Sequence, residues 1–505
     1  VYKRQVCVRE DHREAGEPVN TLVGLDLATG AEKVLFAGSD FVRTPELSPD
    51  GSAVAFITWS HPNMRWDDTQ LRIITFDEDG SARSVAEVSQ SGGVSFKDPK
   101  YSPDGSLYFV ADFDNWWTLY RLDQDGQPAL VLDEQLEMQS FGIENESAAI
   151  IAYQSDGLAY VARVDLQTGD MHNIGAPLSS ADSVTVASDA VYFRGATPSS
   201  QESIYKVTDN GFEKIYEPAG PRIAAEHLSE PMYFAFPTGE NEEAYGFFYP
   251  PKNAAYQGEA DSLPPLIVEV HGGPVGKTTS KLEPEIQFWT SRGFAVFDVN
   301  HRGSTGYGRA FRKKLYPNWG IVDLEDAANG VNWLADQGYI DPDRVAIRGG
   351  SAGGYTTLGA MAFMDTFKAG ASYYGVSDLE ILAKETHKYE SRYLDQLIGP
   401  YPENKDVYLE RSPIYSIDRI QEPLLLLQGL EDEVVPPNQS EMIFNALVEN
   451  CVPTAYIAFE GEGHGFRQPQ NKIKALNAEL DFYGQIFGFE PAGDIERIPL
   501  VKCAE

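Results

Sequence analysis

A repeat constrains this chain more than any other feature. Five segments, residues 22–30, 71–80, 119–126, 160–169 and 204–211, each join a β-type run to a glycine turn preceded by Thr, Asp or Asn. The glycines are Gly30, Gly80, Gly126, Gly169 and Gly211, at intervals of 50, 46, 43 and 42 residues. That interval is about the length of one four-stranded propeller blade, and Asx-Gly or Thr-Gly suits a hairpin turn that needs positive φ. A second repeat supports the pattern: Ser-Pro-Asp-Gly at residues 48–51 and 102–105, the first followed by the alternating run Ala53-Val-Ala-Phe-Ile57. Pro fixes one φ of such a turn and Gly supplies the other. Residues 1–230 therefore predict an all-β propeller of about five blade repeats. The chain opens Val1-Tyr-Lys-Arg-Gln5 without an initiator Met or a signal-peptide pattern. The expectation is a sequence that continues upstream, with a truncated propeller.

After Glu230 the texture changes to strand-like runs alternating with helical ones, the sign of a parallel sheet with crossover helices. Strands are predicted at residues 266–270, 294–299, 341–347, 369–374, 423–428 and 453–459, and helices at 284–292, 322–337, 356–364 and 473–486. This gives an α/β hydrolase domain, a doubly wound and mostly parallel sheet, over 231–490, and a C-terminal tail over 491–505.

Composition narrows the function. With 76 Asp+Glu against 40 Lys+Arg the formal net charge is -36, which argues against nucleic acid and anionic membrane surfaces as partners. No apolar run reaches the length of a membrane span. Cys7, Cys451 and Cys503 are too few for a disulfide framework and suit a reducing compartment, or indifference to redox. The expectation is a cytoplasmic protein without metal or cofactor, with a homo-oligomer as one assembly open to it.

Gly349-Gly350-Ser351-Ala352-Gly353 sits between a predicted strand and a small-residue helix. A nucleophile elbow needs small neighbours because its serine occupies a strained turn, and the following helix N-terminus places positive potential beside the oxygen. Serine needs a general base. Of the two histidines after Ser351, His387 lies in the polar run 384–390, whereas His464 stands between glycines just past a strand. His464 is the preferred base. Asp432 follows the Leu-rich strand and Gly429 and is the preferred acid, with Glu431 and Glu433 as competitors. Tetrahedral oxyanions need prepositioned N–H donors. The backbone of Ala352 offers one, and the turn His271-Gly272-Gly273-Pro274 offers another.

These motifs, with Asp298-Val-Asn-His-Arg-Gly-Ser-Thr-Gly-Tyr-Gly308, occur in the order seen in the prolyl oligopeptidase family. The sequence most resembles that family's acylaminoacyl-peptidase and dipeptidyl-aminopeptidase-like branch. The resemblance implies a Ser351–Asp432–His464 triad, oxyanion donors at Gly273 and Ala352, and a propeller-gated serine peptidase acting on short peptides through an acyl-enzyme. Several members carry Arg two residues after the acid, where this chain has Val434. Release of N-terminal residues thus fits at least as well as strict prolyl or acyl-peptide cleavage. Glu385 and Glu390 are candidates for a substrate ammonium, and Tyr373, Tyr374 and Val376 for an apolar pocket. The alternatives are a carboxylesterase or amidase on non-peptide substrates, and a catalytically silent propeller binding protein.

Overall fold

The computed structural model describes residues 4–77, 80–88, 92–188, 190–220, 222–239 and 241–501. The repeat residue Asp79, the opening residues 1–3 and Cys503 lie outside these. The chain forms two compact units, residues 1–220 with 306–310, and residues 221–305 with 311–505.

Among the described residues the first unit contains five small antiparallel sheets in chain order. One has three strands and four have four strands, each strand pairing with its chain neighbour. The repeated glycine turn is the last hairpin of each sheet, for example between Val19–Asp26 and Glu32–Phe36. Its geometry follows from the Asp that opens it. Asp26 Oδ1 accepts the N–H groups of Ala28 and Thr29 at 3.0 and 2.9 Å, and Asp165 Oδ1 does the same for Gln167 and Thr168. The fifth turn differs: Gly211 opens the strand Gly211–Tyr216 opposite Thr208, so Asp209 and Asn210 make the bend. Consecutive sheets pack face to face. Leu22 and Leu35 of the first meet Val54, Phe56 and Ile74 of the second, and Ile150 and Val161 of the fourth meet Val184 and Phe193 of the fifth.

The second unit is an α/β hydrolase fold around one eight-stranded sheet. Its spatial order is Met232–Thr238, Glu242–Tyr249, Ala295–Asn300, Leu266–Val270, Val345–Gly350, Ala369–Tyr373, Leu424–Gly429 and Thr454–Phe459. The first two pairings are antiparallel and the remaining five parallel. The parallel strands are apolar runs, as both faces are covered. One core packs Val268, Phe297 and Ile347 against Leu324 and Leu358, the other packs Ile267, Val296 and Leu425 against Trp289 and Phe482. From the strand Leu266–Val270 the chain moves to one neighbour, Ala295–Asn300, then returns to the other, Val345–Gly350. Such a reversal opens a crevice at the carboxyl ends of the strands, where α/β sites form.

Residues 491–501 run back along the unit. Ile498 N–H donates to Asp481 Oδ2 at 2.8 Å, and Val501 bridges to Thr454. Cys451 is disulfide-bonded and Cys7 is free. Among the described residues no helix is long and apolar enough to cross a membrane.

Candidate active site

Parallel pairing brings the first two pieces together. Val270 lies opposite Gly349 in adjacent strands, so the chain leaves both strands at the same level, into His271-Gly272-Gly273 on one side and Ser351 on the other. Ser351 takes φ 57° and ψ -120°, a strained conformation for a residue with a Cβ. Its neighbours must be small: a Cβ on Gly353 would lie 2.1 Å from the carbonyl oxygen of Val270. The helix Ala352–Phe363 starts directly after the serine, four residues earlier than the sequence pattern suggested. Ser351 does not cap it with its side chain, which leaves Oγ for other partners.

Asp432 and His464 arrive on the loops after the last two strands. Gly429 permits their contact, since a Cβ there would lie 2.4 Å from the carbonyl oxygen of Gly463. Glu431 N–H donates to the Glu462 carbonyl at 2.9 Å, holding the loops side by side. His464 Nδ1 lies 2.8 Å from Asp432 Oδ2, and Nε2 lies 2.9 Å from Ser351 Oγ. An ionised carboxylate only accepts, so Nδ1 carries the proton and Nε2 accepts from the serine hydroxyl. Asp432 is buried at 4 % exposure. Its Oδ1 accepts the N–H groups of Val434 and Val435, both at 2.9 Å, and Gln428 approaches Oδ2 at 3.3 Å. Glu431 and Glu433 are exposed, as is His387.

Ser351, Ala352 and Gly273 line one pocket of about 430 Å³, counted to its open mouth. Ala352 is the first helical residue, and the first N–H groups of a helix have no partner inside it. Gly273 has φ 133°, a region open to glycine. Beneath this turn the rings of His271 and His301 stack at 4.6 Å, and His271 Nε2 lies 2.7 Å from Ser304 Oγ. Burial lowers the His301 pKa to about 4.

The remaining candidates divide. Val376 and Glu390 line the pocket, and Val434 does too. Glu385 is exposed at the end of the helix Leu379–Glu385 and is not part of the lining. Tyr373 is corrected to a core residue. Strand alternation puts it on the face packed by the last helix, where its hydroxyl donates to Glu479 Oε2 and the guanidinium of Arg348 lies 5.1 Å from its ring centre. Tyr374 also stays out of the lining and packs on His464, with ring centres 4.9 Å apart. The pocket walls that the motifs did not reveal are Trp319, Leu382, Tyr393, Leu394 and Leu397. Most come from 376–397, where leucines recur within a polar stretch; that recurrence was the available signal. Among the described residues Glu390 has no side-chain partner, whereas Lys384, Lys405 and Tyr401 all engage Glu380.

The sequence pattern of the prolyl oligopeptidase family matches residues 280–490. A puromycin hydrolase of known structure is 33% identical and superposes with a TM-score of 0.94 over 100% of this chain and 79% of its own. A puromycin-hydrolyzing peptidase from Mycobacterium tuberculosis is 35% identical, with a TM-score of 0.94 over 99% of this chain and 79% of its own. Dipeptidyl aminopeptidase BIII of Pseudoxanthomonas mexicana is 34% identical over 286 residues, 54% of this chain and only 41% of that relative's length. Agreement in sequence and backbone along nearly its whole length means that this chain belongs to the prolyl oligopeptidase family.

Proposed function

We propose that the chain is a serine peptidase that hydrolyses short peptides through an acyl-enzyme and releases residues from the N-terminus. The observation that carries this reading is the continuous relay Ser351 Oγ–His464 Nε2 and His464 Nδ1–Asp432 Oδ2, at 2.9 and 2.8 Å. In this reading His464 takes the proton of Ser351 as the hydroxyl attacks the scissile carbonyl. Asp432 holds the tautomer and stabilises the imidazolium. The N–H groups of Ala352 and Gly273 receive the developing oxyanion. His464 then gives its proton to the leaving amine, and water repeats the sequence to free the acid. The apolar walls of the pocket suit an apolar side chain at the cut. The unpartnered Glu390 carboxylate in that lining supports binding of a free substrate ammonium. An acylated N-terminus carries no charge for this carboxylate to bind, and Val434 has no side-chain donor for its acyl carbonyl. The five sheets of the first unit are read as propeller blades, which their blade-length repeat, antiparallel order and face-to-face packing support.

Aminoacyl and dipeptidyl p-nitroanilides, their N-acetylated forms and p-nitrophenyl acetate test the reading. Wild type should cleave the free anilides, acetylation should lower kcat/KM, and Ser351→Ala should abolish turnover. Ester cleavage without any amide cleavage would overturn the peptidase assignment in favour of an esterase.

A further inference from the structure

We propose that Tyr374 is the positioning residue for the imidazole of His464, held for that purpose in a strained turn. The inference rests on the reading of Ser351 and His464 as nucleophile and base.

Tyr374 has φ 40°, a conformation that a bulky side chain adopts only when its surroundings impose it. Here the surroundings are the three arms of the relay. Ser351 N–H donates to the Tyr373 carbonyl at 3.0 Å, which ties the turn to the nucleophile. Tyr374 N–H donates to the Leu427 carbonyl at 2.7 Å, on the strand that leads to Asp432. Its ring meets His464 at 4.9 Å and 61°, and is backed by Phe466 at 5.6 Å and 81°. The phenol also covers the residue before the serine, because a Cβ on Gly350 would lie 2.9 Å from it. Gly354 and Gly375 leave the space for this bend: a Cβ on Gly354 would lie 2.6 Å from Gly375 Cα.

The imidazole needs such a contact. Its two hydrogen bonds leave from opposite sides of the ring, so they fix the line between Nδ1 and Nε2 but not the roll about it. A ring packed off that line removes this freedom and keeps Nε2 aimed at Oγ. The hydroxyl has no such task, as no hydrogen bond engages it among the described residues. Tyr374 is absent from the pocket lining, so its loss should act on turnover and not on binding.

The test compares Tyr374→Leu, Tyr374→Phe and Ser351→Ala with wild type on one aminoacyl p-nitroanilide, with thermal melts of each. Tyr374→Leu should lower kcat about 30- to 100-fold, the scale of a small misplacement of a reacting group, and leave KM within about twofold. Tyr374→Phe should restore kcat to within about threefold, because it keeps the ring and omits the hydroxyl. Should Tyr374→Leu fail to fold, Tyr374→Met fills the same space with an adaptable chain and is held to the same numbers. Wild-type kcat in the Leu or Met variant overturns the inference, as does a Phe variant as slow as either. An active Ser351→Ala would instead remove the relay reading beneath it.

Discussion

The turns of the two units are held in different ways. In the first unit they are held by their own side chains: Asp26 and Asp165 bond to N–H groups two and three residues on, and Ser48 Oγ donates to Asp50 two residues away. In the second unit the Asp432 turn has the same local bonds, to Val434 and Val435, but the turns around it are also tied from far away in sequence. Ser351 N–H is bound by residue 373, Gly353 rests against Val270, and Glu431 is tied to Glu462. A locally held turn can be changed without disturbing much else. A turn held at a distance transmits a change to the atoms that react, and there a small side chain decides both fold and chemistry.

The largest effect should come from the distant contact that carries charge. Asp432→Asn should lower kcat about ten-thousandfold while the melting temperature stays near that of wild type, since the amide oxygen can still accept from Val434 and Val435. Glu431→Gln should leave the rate unchanged. If steady-state kinetics showed the reverse, the acid would be misassigned and the loop contact would be merely structural.

The comparison is sharpened by a pair of glycines. Gly353→Ala puts its methyl 2.1 Å from the Val270 carbonyl oxygen and should cost more than about 4 kcal/mol. Gly51→Ala has φ 72° but nothing within 4 Å of its Cβ, and should cost about 1 kcal/mol from the backbone alone. Urea unfolding of the two variants measures both, and equal penalties would break the distinction.

The third contrast concerns protons. The turn carboxylates Asp26 and Asp165 have their pKa lowered mainly by local N–H donors, whereas His301 is lowered to about 4 from 6.5 by burial in the packed unit. A depressed folded value means that the unfolded chain takes up a proton the fold refuses. His301 therefore contributes its stability above pH 6.5, and loses it as the pH falls towards about 4. The slope approaches about 1.4 kcal/mol per pH unit. His301→Gln should flatten that part of a plot of melting temperature against pH; an unchanged slope would assign the loss elsewhere.

What the sequence made legible follows the same division. The turns of the first unit could be located from spacing because each is specified within a few residues; among the described residues Gly211 alone shifted, by opening a strand instead of closing a bend. The buried strands of the second unit were also legible as short apolar runs. The antiparallel pair Met232–Thr238 and Glu242–Tyr249 was not: the first is the half-exposed edge strand, and the second, though paired on both sides, opens with two acidic residues that break the apolar run. Tyr373 and Tyr374 were grouped as neighbours in sequence, yet Tyr373 ends the strand Ala369–Tyr373 in the core, while Tyr374 starts the turn beyond it at φ 40° and sits beside His464. Trp319 gave no local sign at all, since it reaches the pocket from a loop and is packed by Tyr355.

The zippered loops of Asp432 and His464 have a consequence for how such an enzyme can be retooled. In the proposed mechanism acid and base form a preassembled cartridge, joined through backbone as well as side chains, while the attacking atom comes from a separate turn. Swapping the hydroxyl for a thiol would leave that cartridge intact and change the covalent species it serves from an ester to a thioester, which amines intercept more readily than water does. One atom would then stand between a hydrolase and a ligase.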